Sequence, residues 1–292
     1  MLDTVASPTL PDLLEEATNP VGTSVATLLG SQIWDADAGA LAGLAVTGIT
    51  GGGIWQFSLD GGTTWQALGA VSPGAARLLR ATDQVRFVPT LNFNGPATLS
   101  YVAWDQTQGT AGSLASTLVA GGSAPFSQET ETASVTVNPV NDRPSLTPPS
   151  VITILPPLAP GTSSPPAIPV SQLLAGLVSD PDGADSAGVA LVGLTGIVGG
   201  RWEFSLDGGA TWTQFTAATP TAALLLRASD LLRFTPFNSF AGTTTLTYRA
   251  WDQSQGTAGT TMDVGTLAED GAFSVETNIV YLPVNTAPSL RS

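Results

Sequence analysis

Cysteine, histidine and lysine are all missing from this sequence of 292 residues, so its nine basic residues are all arginine. Without thiolate or imidazole ligands the usual zinc, copper and iron sites are excluded. Nucleophilic catalysis by a Ser–His or Cys–His pair is excluded for the same reason. Disulfides, the common staple of small extracellular domains, are excluded too. No apolar run approaches the roughly 18 residues that a membrane helix needs, so membrane insertion is not expected. Met1-Leu2-Asp3 opens without the positive and apolar regions of a signal peptide.

What is present is oxygen chemistry. The chain has 23 Asp and Glu residues and a net charge of −14. Carboxylates, Asn side chains and backbone carbonyls are ligands for hard cations, calcium first among them. The same charge also serves simple solubility. Either way it repels nucleic acid and anionic membranes, and neither is expected as a partner. An apolar fraction of 42% and the chain length suit two globular domains, each with its own core.

The chain is one module written twice. WQFSLDGGTTWQAL at 55–68 recurs as WEFSLDGGATWTQF at 202–215, an offset of 202 − 55 = 147. RATDQVRF at 80–87 and YVAWDQTQGTAG at 101–112 recur at 227–234 and 248–259 with the same offset. Three blocks at one spacing identify a duplicated domain. Nine prolines fall within 143–169, which reads as an extended, stiff linker, with domains at 1–142 and 143–292. Pro288-Ser289-Leu290 begins the proline motif again, so the natural chain is expected to extend in both directions.

Each module reads as all-β. Leu99, Tyr101 and Ala103 alternate with Thr98, Ser100 and Val102. The second copy keeps Leu246, Tyr248 and Ala250 and places Arg249 where Val102 stood, which assigns that face to solvent. Val135 and Val137 make a further inward pair. Short strands, many Gly and Pro turns and no helical period predict two tandem Greek-key β-sandwiches of cadherin or Ig-like type. Residues 106–130 and 253–276 are too long for ordinary hairpin loops; they are either surface excursions or a concealed extra hairpin.

Ser58 to Trp65 and Ser205 to Trp212 fit S-x-D-x-G-x-T-W, which resembles the Asp-box of sialidases and other β-proteins. Mechanically it is a hairpin: Asp-Gly-Gly supplies the turn, Asp60 bonds turn amides and Trp65 packs back on the strand. A sialidase needs several propeller blades, and here two copies stand far apart, so a structural role is expected. Arg80 and Arg86 flank Asp83, and Arg227 and Arg233 flank Asp230, as cross-strand ion pairs.

The acidic pairs carry the sharper idea. Asp35-Ala36-Asp37 and Asp180-Pro181-Asp182 put two carboxylates on one side of an extended chain. Val140-Asn141-Asp142-Arg143-Pro144 resembles the Asn-Asp-x-Pro linker of cadherins and of bacterial cadherin-like repeats. Ala103-Trp104-Asp105 and Ala250-Trp251-Asp252 stand where that family has Ala-x-Asp, and Glu15 and Glu16 where it has an early Glu. Over essentially the whole chain the blocks resemble the tandem cadherin-like repeats of giant secreted bacterial adhesins. The resemblance implies calcium between consecutive domains, held by Glu15 or Glu16, Asn141, Asp142, Asp180, Asp182 and Asp252. Asp35, Asp37 and Asp105 would then face a preceding domain. Two departures stand out: Pro156 and Pro157 fall near where Glu15 and Glu16 stood, and Thr286 replaces Asp142. The competing reading of these Asp residues is turn capping.

The resemblance implies a non-enzymatic structural extender or adhesion module, extracellular or on a bacterial surface, with neighbouring repeats and cell-surface or glycan ligands as partners. A carbohydrate-binding module, with Trp104, Trp251 or the long excursions as its sugar face, is the second reading.

Overall fold

A computed structural model describes residues 2, 4, 7–31, 33–34, 41–147, 152–183, 187–268 and 270–285. Asp35, Asp37, Thr286 and Pro288 lie outside the described residues. The chain divides into two compact units, Met1–Val140 and Asn141–Ser292.

In the first unit a six-stranded sheet runs in the order Leu13–Leu14, Phe126–Asn138, Gly95–Trp104, Gly43–Ile49, Ala76–Arg80, Leu114–Ala115. A four-stranded sheet runs Thr23–Ser24, Gln84–Pro89, Gly53–Ser58, Gln66–Ala67. All pairings are antiparallel except that of the first strand, where Leu13 stands opposite Val137. The non-sequential order is that of a Greek-key sandwich. Leu99, Tyr101, Val135 and Val137 from one sheet meet Trp55, Phe57, Val85 and Phe87 from the other in one core. A one-turn helix, Val25–Leu29, closes it; Ser24 Oγ accepts from Thr27 N, and Val25, Leu28 and Leu29 are buried.

The second unit repeats this arrangement. Its six-stranded sheet runs Ile152–Ile154, Asn278–Val284, Gly242–Trp251, Gly188–Thr195, Ala223–Arg227, Thr261–Met262, and its four-stranded sheet runs Ile168–Pro169, Leu231–Pro236, Gly200–Ser205, Thr213–Phe215. Both units are therefore all-β sandwiches.

The proline-rich stretch 143–169 is not a linker. Ser145–Leu146 pairs with Val178–Ser179, Ile152–Ile154 joins the six-stranded sheet and Ile168–Pro169 the four-stranded one. Pro169 stands on the edge strand of the four-stranded sheet and Pro144 just before Ser145–Leu146, where a missing N–H costs no ladder bond.

The offset between the copies also changes along the chain. Gly43 and Gly188 both pair at the start of their strands, an offset of 145, whereas Gly53 and Gly200 differ by 147. The two extra residues belong to the turn Ile197–Gly199, where Val198 is 89% exposed. With the offset of 145, Leu158 bridges Val284 as Leu13 pairs with Val137. The counterpart of Glu15 is thus Pro160, not Pro156 or Pro157. Likewise Val284 takes the place of Val137, so Asn285 matches Asn138 and not Asn141.

The face assigned to solvent is only partly so. Thr98 and Ser100 are half-buried, but Val102 is 6% exposed. The excursion after Trp104 folds back over the outside of the six-stranded sheet and contributes the edge strand Leu114–Ala115. Beneath it Ala45, Ala76, Leu78, Val102, Trp104 and Phe126 form a second small core. The second unit does the same with Ala190, Val192, Leu225, Trp251, Val264 and Phe273. Arg249 is tolerated there because its Nη1 donates to the carbonyls of Ser274 (2.9 Å) and Val275. Burial pushes its guanidinium below the ordinary arginine value.

Candidate cation site

Three separate segments of the second unit bring acidic residues together. Asp142 N donates to Asp182 Oδ2 at 2.6 Å, and Asp182 N donates to Asp180 Oδ1 at 2.9 Å. Carboxylate oxygens of Asp142 and Asp182 lie within 4.8 Å of one another. Asn141 Nδ2 donates to Asp252 Oδ2 at 3.0 Å, while Asp252 Oδ1 accepts from Ser254 N at 2.7 Å. Pro181 and the Gly183 turn (φ 107°, with Gly183 N donating to Asp180 O) hold the Asp-x-Asp segment in place.

Partial burial pushes the Asp180 carboxyl above the ordinary value, and the negative charges of Asp252, Asp182 and Asp142 push it further. The hydrogen bond from Asp182 N works the other way and does not offset them. Burial is the largest cause, and the gathered carboxylates add to it. A divalent cation would reverse the sign, since a bound ion is the largest local charge in such a site. The donor set is all oxygen, the chemistry a hard cation takes.

The first unit differs. Glu15 is 3% exposed; its Oε1 accepts from Val140 N at 2.6 Å and its Oε2 from Asn94 Nδ2 at 3.2 Å. Glu16, beside it, is exposed. Asp105 Oδ1 accepts from Thr107 N (2.8 Å) and Thr107 Oγ1 (2.6 Å), as a turn cap does. Asp252 caps the same turn in its copy, its Oδ1 accepting from Ser254 N.

Other expectations resolve as follows. Asp60 Oδ1 accepts from Thr64 N at 2.8 Å and Oδ2 from Thr64 Oγ1 at 2.6 Å, and Ser58 Oγ donates to it at 2.7 Å. Those bonds, the Thr64 hydroxyl first, lower its carboxyl to about 2, and Asp207 matches it. Both Asp-boxes are turn locks. Arg80 and Asp83 are not a cross-strand pair: Asp83, 0% exposed, sits in the tight turn and bonds Arg80 N and the guanidinium, at 2.8 Å for Nη2. Arg86 instead stacks on Trp65, 4.1 Å from the ring centroid, and bonds Gln56 and Asn19. In the second unit Arg233 does pair across strands, with Glu203 at 2.9 Å.

Trp104 and Trp251 are 3% and 1% exposed, with Nε1 donating to Gln108 O and Gln255 O. Buried edge and face alike, they offer no sugar-stacking platform. The buried polar core was not foreseen from sequence: Tyr248 OH donates to Leu173 O at 2.6 Å. In the first unit burial and the Glu131 charge push the Tyr101 hydroxyl to about 12.

No family model matches the sequence, and no curated protein matches it. Among solved structures the chain is similar to human CDH23 EC21-23, at 13% identity and a TM-score of 0.45, covering 96% of this chain and 73% of that one. It is similar to human mucin-like protocadherin EC1-2, at 10% identity and a TM-score of 0.46, covering 97% and 98%. The adhesive subunit CfaE of the CFA/I fimbria of enterotoxigenic Escherichia coli is found too, at 11% identity and a TM-score of 0.38, covering 98% and 100%.

Proposed function

We propose that the chain is a pair of extracellular adhesion modules, spacers in the tandem array of a large bacterial surface protein, without catalytic activity. In this reading the second unit takes up calcium through Asp142, Asp180, Asp182 and Asp252, with Asn141 orienting Asp252. The observation that supports it is the convergence of the four residues: Asp142 N on Asp182 Oδ2 at 2.6 Å, carboxylate oxygens of Asp142 and Asp182 within 4.8 Å, Asp182 N on Asp180 Oδ1, and Asn141 on Asp252 Oδ2. A calcium ion needs roughly six to eight oxygens, and four carboxylates with neighbouring carbonyls and water meet that need. Neighbouring repeats of the same chain are the expected partners.

Calorimetric titration with calcium, with melting in calcium and in chelator, tests the reading. At 100 times the dissociation constant, binding stabilises by about 2.7 kcal/mol. Asp180→Asn should abolish most of the heat and the calcium-dependent rise in melting temperature. An unchanged wild-type melting temperature and no heat of binding would sink the calcium claim.

A further inference from the structure

At one margin of the six-stranded sheet the outer face differs in kind between the two units, although the backbone beneath it is the same. In the first unit Leu10 N donates to Ser134 O at 2.8 Å, and in the second Leu155 N donates to Tyr281 O at 2.8 Å. Thr9 is bridged to Ser134 as Ile154 is paired with Tyr281. Two residues back along each strand, Ser7 and Thr132 hold the places of Ile152 and Ile279. Four hydroxyl side chains in one unit therefore stand where the other has three isoleucines and a tyrosine.

The fold does not demand apolar residues at these positions. The first unit pairs the same strands without them, and the hydroxyls of Thr132 and Ser100 are bonded at 3.1 Å. Nor does the second unit bury them. Ile152 is 57% and Ile154 71% exposed, with Ile279 and Tyr281 half-buried beside them. The small core beneath the excursion of this unit does not include any of the four.

The backbone there is open as well. Ile152–Ile154 is the margin of its sheet and pairs with Asn278–Val284, in parallel. Leu155 N is used on Tyr281 O, so by the alternation of a strand Ile152 and Ile154 turn their N–H and C=O groups to the open side. Edges of this kind are commonly blunted by charge or proline. None of the three residues is charged, and Pro156 and Pro157 follow the strand without interrupting it.

We propose that this margin is a homodimer interface, in which Ile152–Ile154 pairs antiparallel with the same strand of a second copy across a two-fold axis at Thr153. Ile-Thr-Ile reads the same in both directions, so the two-fold sets Ile152 opposite the partner's Ile154. Their outward peptide groups then exchange hydrogen bonds, as a hydrogen-bonded antiparallel pair does. Opposed side chains share a face, so the four isoleucines of the two edges form one apolar row, continued by Ile279 and Tyr281. Charge selects the same partner. Ile152, Ile154, Ile279 and Tyr281, with Thr247 and Thr245 opposite the last two, are all uncharged, so a copy of a chain at −14 meets no carboxylate on this face. The isologous contact closes on itself, and the prolines end it after three residues, so the product is a dimer and not a fibre. A contact this small falls below the roughly 1,200 Å² of a stable interface, which puts the dissociation constant at about 0.1–1 mM.

The test is sedimentation velocity of the two-unit protein from about 10 μM to about 1 mM, which brackets that constant. The comparison is Ile152→Ser/Ile154→Thr, which gives the second unit the residues that the first unit carries at these positions and folds with. Its melting is measured in parallel. The expected result is a monomer–dimer equilibrium weakened at least tenfold in the variant. In the wild type, hydrogen exchange at the amides of Ile152 and Ile154 should slow only at high concentration, a readout that does not depend on the variant. A wild type still monomeric at about 1 mM would assign the edge to a strand of another protein and overturn the proposal. A dimer undiminished in the variant, or exchange at those two amides unchanged by concentration, would overturn it equally.

Discussion

Trp251→Ala asks whether the long excursion belongs to the cooperative fold. Trp251 is 1% exposed on the outer side of the six-stranded sheet, where an uncovered sandwich would face water. It packs in the cluster of Ala190, Leu225, Val264, Ala272 and Phe273, and the last three come from the excursion. Deleting a buried Trp costs about 3–5 kcal/mol in transfer and cavity terms. The lost bond to Gln255 O adds little, because that loop carbonyl can turn to water. In a domain of this size about 2–4 °C of melting temperature goes with each kcal/mol, so the transition of the second unit should fall by about 6–20 °C. Differential scanning calorimetry is the assay, with Leu246→Ala in the inner core (about 2–5 kcal/mol) as comparison. A fall under about 3 °C, with protease cleavage appearing within 253–276, would show the excursion to be a flap that opens on its own and would refute the second core.

The other perturbations have signs fixed by the structure. Asp60 and Asp207 hold carboxyls near 2 against 3.8 unperturbed, so their stabilisation is present above pH 4 and lost as pH falls through about 2. Asp60→Asn/Asp207→Asn should therefore flatten the acid limb of the stability curve measured by denaturant melts. Asp180 is raised, so in chelator it takes up a proton more readily when folded, and stability should fall as pH rises through its titration. Asp180→Asn should accordingly raise the melting temperature in chelator while removing the calcium response. Tyr248→Phe leaves the Leu173 carbonyl without its buried donor and should cost about 1–3 kcal/mol by urea denaturation.

What the sequence made legible was whatever depends on local period and repetition. Leu99, Tyr101, Val135 and Val137 are core as their alternation requires, and the Asp-Gly-Gly turns are locked as turn chemistry requires. The burial of Val102 was hidden because its cover, Phe126 and its neighbours, arrives from the far end of an irregular excursion without period. Glu15 could not be told from Glu16 because the choice lies in a two-residue parallel pairing, Leu13 with Val137 and Leu14 with Asn138. Pro156 and Pro157 miss the counterpart of Glu15 because no repeated block reaches that edge; its place is fixed by a short parallel pairing, Leu158 with Val284 as Leu13 with Val137.

The duplication separates what the fold demands from what a site demands, since the same backbone is decorated twice. Charge has moved freely between the copies: Val102 became Arg249, Glu131 became Asn278 and Gln56 became Glu203. Each exchange is absorbed locally, Arg249 by two carbonyls and Glu203 by Arg233. Against that freedom, Asp252 keeps the turn-capping duty of Asp105 and gains Asn141 as a second partner. The cation reading therefore rests on Asp142, Asp180 and Asp182, brought in ahead of the repeated blocks, joined by Asp252 from within one of them. Asp180→Asn should remove the calcium titration and leave the calorimetric transition of the first unit unchanged; loss of both would mean that unfolding, not ligand chemistry, had been measured.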